Sequence, residues 1–271
     1  MVTVEIPVRS WQDFRSALFD TLYPAGQFEA DHYLFRGQRE HSWPLKASFD
    51  RTFTSIAPGQ RRKKFEAMLN FFEEACEAQG IPTAFSTDVQ ALAQHYGRPT
   101  RSLDWSRSPY VAAFFAFAHH VLECGLPDLK EARSRLLELP ENVSRDDLLT
   151  FFEQGQNSAV AVWALDSQNP LWSDDFGANV KNATSMVGNV RLRNQGGSFT
   201  RLDGQEADLE AWAKSLEPDP GTVLWKFVLP ACEALAALSD LRAMGIDFSR
   251  VYPDLQGAAF DAKLRGLCGL F

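Results

Sequence analysis

The chain has 271 residues, 45% hydrophobic and 23% charged, with 21 Phe and 7 Trp, which is ample for one aromatic-rich globular core. Its formal net charge of −8 argues against a protein that grips long nucleic acid through phosphates, although it is compatible with a local basic pocket for a small phosphorylated ligand. No apolar run reaches the ~18 residues of a membrane span, the N-terminal stretch has no signal-peptide core, and Cys76, Cys124, Cys232 and Cys268 form no Cys-x-x-Cys pair, so the expectation is a cytoplasmic protein with reduced thiols and no membrane partner.

The first helix is expected after Ser10, where Ser10 and Asp13 resemble a capping box and Trp11, Phe14, Leu18 and Leu22 then share a face. Pro24 and Gly26 end it. His32 to Gln38 begins like a short strand, with Gly37 at its end or in a tight turn. The stretch 60–79 is the strongest helix signal, with Phe65, Met68, Leu69, Phe72 and Cys76 on one stripe. A shorter helix is expected over 88–96. Another starts at Ser108 with Pro109 as its first residue; its sequence is apolar all round, which predicts a central helix packed on both flanks.

Residues 124–157 are charged and helical, with Ser144 as N-cap and Gly155 as stop, and read as a peripheral helical insertion. Strands are expected at 158–165 and 222–229, separated by a polar, Asn- and Gly-rich region. The chain ends in helix from Pro230 to Met244, a loop at 251–257, and a final helix. Strands and helices mix without βαβ alternation, and no linker divides the chain. The reading is therefore a single α+β domain over 1–271, with small mixed or antiparallel sheets surrounded by helices.

Four polar clusters interrupt these apolar elements. In the first, Arg36 follows three strand-like apolar residues, and a guanidinium there suits a bidentate grip on phosphate or carboxylate, with Gly37 allowing close backbone approach and Gln38 beside it. The second, 94–109, packs His95, Thr100, Arg101, Asp104, Trp105 and Ser108 between two apolar helices. Such a loop needs its polar groups paired, and Arg101 with Asp104 is the natural pair. In the third, 191–200, Gln195 precedes Gly196 and Gly197, with hydroxyls at Ser198 and Thr200; this suits either an anion nest or a hairpin turn. The fourth, 251–257, reads chiefly as a helix N-cap at Asp254. No phosphate loop, dinucleotide fingerprint, metalloprotease motif, nucleophile elbow or spaced zinc set is present, and no metal is expected.

These segments resemble the FRG-domain family, which takes its name from a Phe-Arg-Gly motif. Phe35-Arg36-Gly37-Gln38 followed by Trp43 and Leu45 is similar to the defining segment. His95-Tyr96-Gly97, Pro99-Thr100-Arg101, Leu103-Asp104-Trp105 and Ser108-Pro109 are similar to the central signature. Residues 194–200 resemble its Gln-x-Gly-x-Phe-Thr element, and Tyr252-Pro253-Asp254-Leu255 the closing Phe-Pro-Asp-Leu, with Tyr in place of Phe. Arg98 departs from the pattern, which has an aliphatic residue there.

A more distant resemblance, to ADP-ribosyltransferases, implies an activity: Arg36 fits the early strand position, Ser106 and Ser108 the Ser/Thr-rich strand before an Ala/Phe helix, and Gln195 the late position normally held by Glu. On that analogy the ligand is nucleotide-like, NAD is the substrate, and the chain is an ADP-ribosyltransferase or NAD glycohydrolase-like toxin or phage-defence effector. Arg36, Asp104 and Gln195 would be catalytic, while Gly37, Gln38, His95, Thr100, Arg101, Trp105, Ser108 and Thr200 would bind ligand. The alternative is a noncatalytic module that recognises a nucleotide or phage component. A metal-dependent nuclease fits less well, because the carboxylates needed for two metals are not grouped. No protein or nucleic-acid target is identified by the sequence.

Overall fold

The computed structural model describes residues 2–24, 26, 32–80, 99–126, 129–155, 157–172, 178–182, 194, 196–202, 206, 208–216 and 221–269. Within them lie strands β1 (Thr3–Pro7), β2 (Tyr33–Gln38), β3 (Ser102–Ser106), β4 (Ala159–Asp166), β5 (Ala178–Asn182), β6 (Gly197–Leu202) and β7 (Leu224–Pro230). The helices are α1 (Trp11–Leu22), α2 (Ser48–Thr52), α3 (Arg61–Ala78), α4 (Pro109–Cys124), α5 (Leu129–Leu137), α6 (Arg145–Glu153), α7 (Leu209–Lys214), α8 (Ala234–Ala243), α9 (Phe248–Val251) and α10 (Leu255–Cys268). The fold is a mixed sheet with helices around it. All seven strands join in one sheet of order β1-β7-β4-β2-β3-β6-β5, parallel at β1–β7 and antiparallel elsewhere.

Local chemistry explains the elements that the sequence announces. Ser10 Oγ accepts from the Asp13 amide, and α1 buries Trp11, Phe14, Leu18 and Leu22. Ser108 caps α4 through Val111, with Pro109 in the first turn, and most of α4 is buried. Ser144 caps α6, and Gly155 beyond its end has φ +68°. In α3 only Arg61, Phe65 and Cys76 are fully buried, so the expected stripe is narrower than its periodicity suggests. The helix expected at 88–96 lies outside the described residues.

The sheet has two dissimilar faces because side chains alternate along each strand. Phe35, Val160, Val162, Ala164, Phe227 and Leu229 face α1, α4, α8 and α10 in the larger core. Leu34, Leu103, Trp105, Ala161, Trp163, Leu165 and Leu224 face the other way, toward Leu45, Leu209 and Trp212. A third, smaller cluster seats α5 and α6, with Leu136, Leu148 and Phe152 against Ala159, Val228 and Cys232.

Three features differ from the sequence reading. The segment 102–106, expected as part of a loop, is β3: its Ser and Asp residues alternate with Leu103 and Trp105, which are buried. The strands β1, β5 and β6 carry few consecutive apolar residues and gave no signal of their own. Gly37 lies within β2 rather than in a turn, and it is not among the glycines with positive φ. Its role is steric. A Cβ there would sit 1.9 Å from the Ala112 carbonyl oxygen of α4, so only glycine lets the α4 backbone rest on β2.

Gly37→Ala should therefore destabilise the protein by about 3 kcal/mol through overpacking. Gly59→Ala, where an added Cβ meets nothing within 4 Å, should be close to neutral. Urea unfolding of both variants measures the difference, and equal midpoints would refute the steric account.

Candidate functional site

The sheet is nearly split in two. The ladder between β2 and β4 runs over six residue pairs and that between β3 and β6 over five, but β2 and β3 share one register pair, Phe35 with Ser106. Beyond that pair the strands part, and a cavity of about 440 Å³ opens between them. Its floor is Phe35, Arg36, Gly37 and Gln38 on one side and Asp104, Trp105 and Ser106 on the other. Ala112, Phe115 and His119 of α4 form one wall, with Tyr252 beside them. Arg39, Trp43 and Arg51 complete it.

Arg36 spans the gap. Its Nη1 donates to the Asp104 backbone carbonyl at 2.7 Å, so a side chain supplies a bond between strands whose ladder has lapsed. Its Nε is buried with no hydrogen-bond partner among the described residues, and the same holds for Arg39 Nε. Arg39 stacks over Trp43, with Cζ 4.7 Å from the ring centroid, and Nη1 reaches Glu123 at 3.5 Å. Arg51 donates to the Lys46 carbonyl at 2.6 Å.

Burial pushes the Arg36 guanidinium below its ordinary value, Asp104 acts in the opposite sense, and Arg51 adds to the lowering. Arg51 is lowered by burial and raised by Asp104. Half-buried Arg36 and exposed Arg51 thus gather around one exposed carboxylate, and among the described lining residues Asp104 is the only carboxylate.

The aromatic wall is held from behind. Trp105 Nε1 donates to Thr200 Oγ1 at 2.8 Å, and Trp163 Nε1 donates to Gln38 Oε1 at 2.8 Å. Gln38 Nε2 donates to the Pro44 carbonyl, so both ends of its amide are engaged by the protein. Phe115 stacks on His119 with centroids 5.8 Å apart. Asp254 caps α10 through the Gly257 amide, and a Cβ at Gly257 would lie 1.9 Å from the Tyr252 carbonyl; the turn and the glycine together set Tyr252 against Phe115.

Of the residues expected to form a site, Arg36, Gly37, Gln38, Asp104 and Trp105 line the cleft. Thr200 supports Trp105 from behind. Ser108 caps α4, and its amide donates to Ser106 Oγ at 3.0 Å. Thr100 and Arg101 are buried at a different place. The Thr100 amide donates to Ser48 Oγ, and Arg101 Nε meets Asp50 Oδ2 at 3.3 Å. The expected Arg101–Asp104 pair is thereby corrected. Arg101 lies in the bend just before β3 and turns to Asp50, while Asp104 within β3 faces Arg36 and Arg51. His95 and Gln195 lie outside the described residues. Arg39, Trp43, Arg51, Phe115, His119 and Tyr252 complete the cleft without a sequence signal as site residues; they lie in helices or loops with no motif, apart from Trp43 and Tyr252, which fall in the segments similar to the FRG domain.

Residues 31–123 match the family model described as the FRG domain. Over that segment the chain is similar to the FRG domain. That third of the chain contains every described residue of the cleft except Tyr252, which comes from the C-terminal region. No curated protein and no solved structure matches the chain.

The packing around the cleft generates two predictions. Asp50 is fully buried between Arg61 Nη1 at 2.8 Å and Arg101 Nε at 3.3 Å. Asp50→Ala leaves two guanidiniums without their carboxylate and should cost about 3–5 kcal/mol in chemical denaturation; a loss below about 1 kcal/mol would show the cluster to be weakly coupled to folding.

His119 is the second case. Burial holds it below its ordinary 6.5, with Arg39 and Arg36 lowering and Glu123 raising it; His41 is lowered by burial too. Below about pH 6.5 the unfolded chain therefore takes up protons first, and stability should fall with pH until the folded-state values are reached. His119→Gln should lessen the drop in urea midpoint between about pH 8 and about pH 5.5. An unchanged drop would remove His119 as a contributor.

Proposed function

We propose that the cleft binds a phosphorylated nucleotide and that, with NAD as substrate, it breaks the bond between nicotinamide and ribose. One observation carries this reading: Arg36 and Arg39 keep buried Nε–H groups without partners inside an aromatic-walled cavity that holds a single exposed carboxylate. An unpaired buried donor costs free energy unless a ligand satisfies it, and a planar guanidinium suits phosphate oxygens. The cavity volume is in the range of small-molecule sites. Trp43, Phe115 and Tyr252 offer ring faces for a base or for nicotinamide.

In the proposed reaction Asp104 accepts a ribose hydroxyl hydrogen bond and stabilises the positive charge that develops on the ribose as the C–N bond breaks. Nicotinamide leaves with the bonding electron pair. Water, or a nucleophilic side chain of a target, forms the new bond at the same carbon and gives up its proton to solvent. The products are nicotinamide and ADP-ribose, free or attached. The resemblance to ADP-ribosyltransferases supports the same assignment.

A second reading, in which the cleft senses a nucleotide without turning it over, is favoured by the balance of charge around Asp104. Arg36 and Arg51 both act on that carboxylate, which reduces the negative charge left for a developing cation.

Nicotinamide release and an NAD-induced thermal shift, measured on the full chain alone and with cell lysate, distinguish these readings. Arg36→Lys keeps the charge but loses the planar fork, and should weaken NAD binding about tenfold or more. Asp104→Asn should preserve the thermal shift and slow release by about 10²–10³. A shift without release in the native protein selects the sensor. Neither shift nor release would overturn nucleotide recognition of this kind.

A further inference from the structure

We propose that His119 is a third phosphate-binding group of the cleft, donating to the ligand as an imidazolium, so that ligand binding takes up a proton from solvent. This role rests on the reading of the cleft as a phosphate site, and adds to it how the ligand's charge is sensed.

From Val111 to Leu122 every residue of α4 is buried except Phe115 and His119. The two stand one helical turn apart, so they share a face, and both line the cavity. Ring contacts alone hold the His119 side chain. It stacks on Phe115 with 17° between the planes, and it meets the buried Phe248 of α9 edge-on with centroids 6.0 Å apart. Neither ring nitrogen has a hydrogen-bond partner among the described residues. A neutral imidazole carries one donor and one acceptor, and here both are left for what enters the cavity.

The charged groups that act on the ring are Arg39 and Arg36 from β2 and its exit, and Glu123 one turn further along α4. Glu123 is itself engaged by Arg39 Nη1 at 3.5 Å. Phe248 and the cavity's Tyr252 bring no charge at neutral pH, while Arg51 and Asp104 share the cavity and act on Arg36. Burial, with the two guanidiniums, keeps His119 below its ordinary value and so neutral at neutral pH.

A phosphate held by Arg36 and Arg39 reverses that balance. It offsets both cations and sets an opposite charge beside the imidazole, which raises the ring's affinity for a proton. The ring then takes a proton from solvent, and both of its N–H groups become donors. Affinity should therefore rise as pH falls through the value of the ligand-bound ring, and level off once the free ring is protonated too. His41, also held low by burial, and His120, whose Nδ1 meets the Arg39 carbonyl, lie outside the lining.

The experiment is calorimetric titration of the full chain with ADP-ribose, in two buffers of different ionisation enthalpy. The ADP-ribose pyrophosphate carries no proton that titrates between about pH 5.5 and about pH 8, so a pH effect reports on the protein. The expected result is net proton uptake on binding, and affinity about tenfold higher at about pH 5.5 than at about pH 8. His119→Gln keeps a polar side chain that cannot take up the proton, and both effects should be lost in it, with circular dichroism verifying the fold. A role limited to packing would change affinity by the same factor at every pH. Binding without proton uptake in the native chain, or uptake that persists in folded His119→Gln, would overturn the role of His119 and leave the phosphate reading intact. No binding of ADP-ribose at either pH would overturn both.

Discussion

The structure turns on a single weak seam. Six strand junctions hold the sheet together, and five of them are ladders of at least five residue pairs; the sixth, between β2 and β3, is one pair, Phe35 with Ser106. Strands that diverge expose backbone edges and open a solvent-reached cavity near the centre of the sheet, much as ligand sites in other open sheets form where neighbouring connections separate. Arg36 is the residue that makes the seam tolerable. Its backbone stays in register with Trp163 of β4, while its guanidinium crosses to the Asp104 carbonyl and leaves Nε for something else.

A gap at the centre of a sheet has to be held open from outside, and the polar residues away from the cleft do that. Asp50 ties α2, the start of α3 and the residue before β3 into one buried cluster through Arg61 and Arg101. The Phe49 amide adds a bond to the Thr100 carbonyl. Replacing one partner of such a cluster is costly because the others remain charged and dry. Across the sheet, glycine at position 37 lets α4 lie directly on β2, which brings Phe115 and His119 over the opening. Thr100 and Arg101 thus serve the cleft by fixing the strand that carries Asp104, without touching the ligand space.

How much of this could be read in the residues depended on the range of the interaction concerned. Helix caps are local, so Ser10, Ser108, Ser144 and Asp254 were legible as caps, as were the buried face of α1 and the apolar strands β2, β4 and β7. Arg36, Asp104 and Trp105 stood out because polar groups interrupting apolar elements must go somewhere, and here they share a cavity. The partner of Arg101 was not legible. The nearest carboxylate in sequence is Asp104, whereas the bend before β3 turns Arg101 to a partner 51 residues away. His119, Phe115 and Tyr252 were hidden for a related reason: on an apolar helix or at a cap, nothing local separates a residue facing a cavity from one facing the core.

The charge of the cleft runs against that of the chain, and this decides how a ligand would be recognised. The protein carries a net −8, yet Arg36, Arg39 and Arg51 converge on a cavity where Asp104 is the only described carboxylate. At physiological salt a Debye length of about 8 Å screens the outer charges from one another and from an approaching anion. Long-range steering of a phosphate toward this surface is therefore weak, and a polyanion such as duplex nucleic acid would meet net repulsion outside the cleft. Inside it, the half-buried Arg36 and Arg39 act over bonding distances, where screening by salt is small. Recognition then rests on fit to a compact ligand that can enter the seam, and a phosphate linked to a flat ring system can engage the arginines and the aromatic wall together.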